Sequence, residues 1–126
     1  MLGLVLVSGV GCADRYNRLN QKQDAQIRKY ITADFNGAQR ALEQYLELAD
    51  TLEQSGYPSD SERWPAEARL ALMHAAAGRT DLCDRFLTLA AEHYSNSATS
   101  PPLTTAEMRT MMEKVDIETN PRWRRE

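Results

Sequence analysis

The chain has 126 residues, which is enough for one domain with a modest core and too few for two. Its composition, 42% hydrophobic and 26% charged, is that of an ordinary globular protein and excludes collagen-like, wholly disordered and multi-span membrane chains. A net charge of -3 argues against a nucleic-acid-binding protein and against attraction of the whole surface to anionic membranes.

The chain begins with an apolar segment. Residues 2–10 carry no charge and end at Gly11 and Cys12, after which the sequence becomes polar. This segment is too short to span a bilayer as a helix, which needs about 20 residues. It is long enough for the apolar core of an export signal, and small residues that lead to a cysteine resemble the lipobox of bacterial lipoproteins.

That resemblance implies a lipid anchor. Residues 1–11 would be a signal peptide that is removed after Gly11, and the Cys12 thiol would carry a diacylglycerol. The protein would then be membrane-anchored in the cell envelope and face the extracytoplasmic side. The alternatives are that residues 2–10 form a short buried strand or a disordered N-terminus.

Two helices are predicted next. Residues 14–32 contain no Gly or Pro and have a sparse apolar stripe, with five basic and two acidic residues. We interpret their charges mainly as a solvated face, with attraction to anionic lipid headgroups as the alternative. After Asp34, a candidate helix cap, residues 38–54 show the clearest amphipathic pattern in the chain, and Gly56 ends it.

The central helix is apolar nearly all round. A polar loop over 55–63 precedes Pro65, which fits the first turn of a helix, and residues 66–77 are mostly Ala, Leu and Met. Such a helix is enclosed by its neighbours. Gly78 suits its C-terminus, so a tight turn should lead to an antiparallel helix over 81–94.

The C-terminal part is predicted to hold one more helix. Thr104 and Glu107 match a capping box, and the helix should run to about Val115 with methionines on one face. Residues 121–126, which contain Arg-Trp-Arg-Arg, are predicted to be a disordered basic tail.

The hairpin formed by the central helix and its successor resembles the tetratricopeptide unit. The residues that match the pattern are Leu70, Ala71, Gly78, Leu87 and Ala90. The resemblance implies an all-α fold, in which antiparallel helical hairpins form a tetratricopeptide-like right-handed array of about five helices. This domain would cover residues 12–120.

The same resemblance indicates a candidate protein-binding groove. In that family the first helix of each pair lines a concave face, and the corresponding positions here are Ala68, Leu72, Ala75 and Ala76. Either this face is open to a segment of a partner, or the helix carrying Met108–Met112 covers it. The two interpretations exclude each other.

Candidate chemistry is sparse. His74 and His93 have no metal-ligand spacing, and Cys83 lies in an apolar stripe where it is expected to be a small core residue. Phosphate-binding loops and nucleophile elbows are absent from the sequence. We therefore predict no catalytic residues, no metal and no cofactor.

The resulting hypothesis is a lipid-anchored extracytoplasmic helical adaptor that mediates protein–protein interaction and is not an enzyme. Its partner would be another envelope protein or a peptide segment, and it would meet the membrane through the lipid on Cys12. The alternative is a structural or assembly subunit, or a homo-oligomer, that buries its apolar helix face.

Overall fold

The computed structural model describes the backbone of residues 2–126 and the side chains of residues 17–126. This backbone forms helices only, so the predicted all-α class is confirmed. The elements are α1 (Leu2–Thr32), α2 (Phe35–Gln54), α3 (Asp60–Ala76), α4 (Thr80–Ser97), α5 (Thr105–Thr119) and a final 3-10 turn (Arg122–Arg125). Within the described helices, no apolar stretch is long enough to cross a bilayer.

The start of α2 is set by a side-chain cap. Asp34 accepts a hydrogen bond from the backbone N–H of Gly37 at 2.8 Å, which confirms its predicted role. The helix therefore begins at Phe35, three residues before the predicted start at Ala38. Its buried residues follow the predicted amphipathic pattern: Ala38, Ala41, Leu42, Tyr45, Leu46, Ala49 and Leu52.

The structure corrects the predicted start of the central helix. α3 begins at Asp60, so Pro65 lies inside the helix and the loop after α2 is shorter than expected. Arg63 in this added turn forms ion pairs with Asp50 and with Glu53, both on α2. Pro65 has no backbone N–H, so one hydrogen bond of the helix is not made. The ion pairs between α2 and α3 stabilise the added turn despite this loss.

The hairpin of α3 and α4 closes through a glycine. Gly78 has φ 76, a left-handed conformation that glycine adopts without the steric penalty of other residues. The following Arg79 N–H returns to the carbonyl of His74 at 2.8 Å. Ala71 and Ala90, one from each helix, are both fully buried in the same cluster.

Two apolar clusters make up the core. The first lies among α1, α2, α3 and the C-terminal turn, and the second lies among α3, α4 and α5. The largest side chains of the first include Leu19, Tyr30, Leu42, Leu70, Met73 and Trp123. α3 contributes to both clusters, as expected for the central helix.

The C-terminal segment is not the predicted disordered tail. Trp123 is only 5% exposed and packs edge-on against Tyr30 and Phe35, with ring centroids 5.8 Å and 5.7 Å away. Asp116 on α5 accepts hydrogen bonds from the Tyr30 hydroxyl at 2.8 Å and from Arg124 Nε at 2.6 Å. The segment is ordered because the indole buries its apolar surface against α1 and α2, while Arg122 pairs with Glu126 and Arg124 pairs with Asp116.

Candidate protein-binding site

The predicted groove on α3 is covered at Ala68 and Leu72 and open at Ala76. Ala68 and Leu72 are buried, Ala75 is half-buried, and Ala76 is exposed. Met108 and Met112 of α5 belong to the same apolar cluster as Ala68 and Leu72. α5 therefore fills this face at Ala68 and Leu72, while Leu72, Ala75 and Ala76 also border an opening of about 160 Å³ beside α5.

A capping box sets the start of α5. Glu107 N–H donates to the Thr104 hydroxyl at 3.1 Å, and Thr104 N–H donates to the Glu107 carboxylate at 3.0 Å. Hydrogen bonds from the backbone N–H of Thr104 and from its side chain lower the pKa of Glu107. The two reciprocal bonds satisfy two backbone donors at the start of the helix. The predicted capping box is confirmed, and the helix then extends to Thr119.

The cysteines and His74 do not form a reactive site in the described part of the chain. The side chain of Cys12 lies outside the described residues. Cys83 is buried, and burial raises the pKa of its thiol, opposite to the shift that activates a nucleophile. His74 stacks on Phe86 at 5.4 Å and its Nδ1 accepts from Arg79 Nη1 at 3.1 Å, so its position is that of a packed residue.

A buried charged cluster joins three helices. Glu67 on α3 is 2% exposed, and its Oε1 lies 2.6 Å from His93 Nδ1 on α4. Its Oε2 lies 3.9 Å from Arg63 Nη1, and Arg63 also pairs with Asp50 on α2. Burial raises the pKa of Glu67, and the contacts with His93 and Arg63 act in the opposite direction. The cluster ties α2, α3 and α4 together at one end of an open cleft.

We call this opening the α2–α4 cleft. It has a volume of about 520 Å³ and lies across α3 between α2 and α4. The apolar residues of its lining are Leu46, Leu70, Phe86 and Leu89, and the charged ones are Glu43, Glu47, Asp50, Arg63, Glu67 and Arg85. Apolar surface bordered by charges is the usual composition of a protein-binding site.

This cleft was not predicted from the sequence. Its residues come from three helices that are separated along the chain, so no local pattern contains them. The sequence held one signal for it. Glu67 is a carboxylate in a helix that is apolar nearly all round, and this residue lies four positions after Arg63. A buried carboxylate of this kind needs a partner, and the partner is supplied by α4.

The charged groups at the centre of the cleft contact one another. The Glu67 carboxylate is engaged by His93 and Arg63, and the described residues contain no group of His, Cys, Asp and Glu that could hold a metal ion. No protein-family model, curated protein or solved structure matches this chain.

Proposed function

We propose that this chain is a lipid-anchored extracytoplasmic helical adaptor that binds another envelope protein and performs no chemistry. Support for the anchor comes from the apolar residues 2–10 and the following Gly11 and Cys12. A tetratricopeptide-like arrangement of the hairpins is part of the proposal. Its support is the buried Ala71 and Ala90 pair.

The observation that carries the adaptor proposal is the α2–α4 cleft. Four carboxylates and two guanidinium groups line it, around apolar side chains of all three helices. The excess of negative charge favours a basic segment of the partner, whose cations would pair with the exposed Glu43 and Glu47. Apolar groups of the same segment would pack on Phe86 and Leu89.

The docking proposal is tested by photo-crosslinking in cells that make the protein. A photoreactive residue replaces Leu89 in the cleft, and a matched variant carries it at Leu82, which is half-buried on the same helix outside the cleft. We expect the Leu89 position to give an adduct with one other envelope protein, identified by mass spectrometry. The Leu82 position should give none.

Charge reversal then tests the chemistry of the contact. Glu43→Lys with Glu47→Lys should abolish the adduct, whereas Glu92→Lys with Glu118→Lys, an equal charge change at exposed positions outside the cleft, should preserve it. An adduct that survives the first pair, or no adduct, contradicts the proposal. An adduct with a second copy of this chain would favour the homo-oligomer alternative.

The anchor is tested separately. Only the Cys12 thiol fits the lipobox resemblance, so Cys12→Ser should abolish fatty-acid labelling of the protein. Intact-mass measurement of the mature wild-type chain should show an N-terminal Cys12 that carries lipid. A mature chain that still begins with an unmodified Met1 would contradict the lipoprotein proposal.

A further inference from the structure

A second concave surface lies between α1 and α2. This α1–α2 groove has a volume of about 290 Å³. Its lining residues are Lys22, Ala25, Gln26 and Lys29 from α1, and Ala41, Gln44, Tyr45 and Leu48 from α2. Two cations and no carboxylate line it, so it attracts anions although the whole chain is negatively charged.

Buried polar groups at this groove lack partners. Gln26 is 3% exposed, and its Oε1 accepts no hydrogen bond from any described residue. Tyr45, which is 2% exposed, also has a hydroxyl without a partner among residues 17–126. An unmade hydrogen bond at a buried polar atom is costly, and a ligand with an N–H or O–H donor would remove that cost for Gln26.

The spacing of the cations suits one anionic group near the groove. Lys22, Gln26 and Lys29 are four and three residues apart on α1, so they share one face of the helix. Both lysines are exposed, and their long side chains can reach a phosphate that sits over the groove. Ala25, Ala41 and Leu48 supply apolar surface beside them.

We infer that the α1–α2 groove binds the headgroup of an anionic phospholipid that carries hydroxyl groups, such as phosphatidylglycerol. The phosphate would lie between the ammonium groups of Lys22 and Lys29. A glycerol hydroxyl would donate to Gln26 Oε1 after the Gln26 side chain turns toward the groove, because that oxygen is buried in the structure. The carbon atoms next to the phosphate would contact Leu48 and the alanines. Such a headgroup would supply an anion for the two lysines, a hydrogen-bond donor for Gln26 Oε1 and carbon atoms for the apolar residues of the groove.

The position of the groove along α1 favours a lipid over other anions. Lys22 follows Cys12 by ten residues, which is about 15 Å along a helix. The inference rests on the proposed lipid anchor at Cys12, because that anchor would bring the groove close to a membrane. Headgroup binding would hold α1 against the membrane surface and thereby orient the α2–α4 cleft.

The experiment uses the full chain with Cys12→Ser, so that binding does not depend on lipidation. The probes are dihexanoylphosphatidylglycerol and dihexanoylphosphatidylcholine as monomers, and inorganic phosphate. Backbone amide shifts are followed by NMR. We expect saturable shifts at residues 22–29 and 41–48 with the phosphatidylglycerol only, which weaken as the salt concentration rises from about 0.05 to about 0.5 M.

Paired variants test which residues bind the headgroup. Lys22→Ala with Lys29→Ala should raise the Kd for the phosphatidylglycerol about tenfold or more. Arg28→Ala with Lys114→Ala, which removes the same charge outside the groove, should change it less than about twofold. Gln26→Leu should weaken headgroup binding and leave the free energy of unfolding unchanged or higher, because a buried acceptor without a donor is removed.

Three results would overturn the inference. Equal shifts with the phosphatidylcholine would indicate nonspecific lipid contact, and equal binding of inorganic phosphate would indicate a site for free anions. Insensitivity to the Lys22 and Lys29 changes would place the lipid elsewhere. Since these measurements use an unlipidated chain, they can fail while the anchor and adaptor proposals stand, and the reverse also holds.

Discussion

At the scale of single residues, the buried carboxylates of Glu67 and Asp116 are each paired with groups from other parts of the chain. Asp116 pairs with Tyr30 and Arg124, and Glu67 pairs with His93 and Arg63. Breaking one partner of such a pair leaves an uncompensated group in a poorly solvated place. These pairs link α3 with α4 and α5 with α1.

His74 gives a residue-scale prediction for pH dependence. Burial lowers its pKa from the ordinary value of 6.5, and the nearby Arg79 lowers it further, against a smaller opposing effect of Glu43. The unfolded chain then binds a proton more readily than the folded one. The stability that His74 contributes is present above pH 6.5 and is lost as the pH falls through the lowered pKa.

We therefore expect wild type to lose more of its unfolding free energy than His74→Gln when the pH is lowered from about 7.5 to about 5. Urea melts at the two pH values, followed by circular dichroism, measure this difference. Arg79→Ala should reduce the loss, because it removes a charge that opposes protonation of His74. If the unfolding free energies of wild type and His74→Gln differ by the same amount at both pH values, His74 is not the source of the pH dependence.

At the scale of elements, α3 decides the architecture because helices pack on several of its faces. Its alanines allow α4 to approach closely, while Leu72 and Ala68 receive the methionines of α5. Close-packed surfaces of this kind tolerate little added volume. The exposed end of α3 at Ala76 is free of that restriction.

The same substitution at two positions of α3 should therefore have unequal effects. Ala71→Leu overpacks a fully buried position and should reduce the unfolding free energy by about 1 to 3 kcal/mol. Ala76→Leu should change it by about 0.5 kcal/mol or less. Urea unfolding of both variants makes the comparison, and equal midpoints would show that Ala71 is not at a close helix contact.

At the scale of the whole molecule, the C-terminal turn meets the junction of the first two helices. Trp123 packs on Tyr30 of α1 and Phe35 of α2, so the C-terminal turn closes the first apolar cluster. The ion pair of Arg124 with Asp116 connects the same turn to α5. Contacts between residues so far apart in the sequence couple the first hairpin to the last helix.

Removing this closure should be costly. Trp123→Ala deletes a buried indole and should reduce the unfolding free energy by about 3 to 5 kcal/mol. Arg125→Ala, an exposed position in the same turn, should change it by about 0.5 kcal/mol or less. If the two variants unfold at the same urea concentration, the C-terminal turn does not contribute to the core.

Features that depend on neighbouring residues are encoded locally in the sequence. The all-α class follows from apolar periodicity, and the caps at Asp34 and at Thr104 with Glu107 follow from side chains that reach backbone groups three residues away. Gly78 marks a turn because its left-handed φ is a local property. These features could be predicted without knowing which helices touch.

The other features depend on which helices pack together. The predicted groove at Ala68 and Leu72 is filled because α5 folds back on α3, and Trp123 is buried because the chain end reaches α1 and α2. The α2–α4 cleft likewise exists only because side chains of three helices come together around it. The physical reason is the same in each case: burial is a property of contacts between distant segments, which local sequence patterns do not encode.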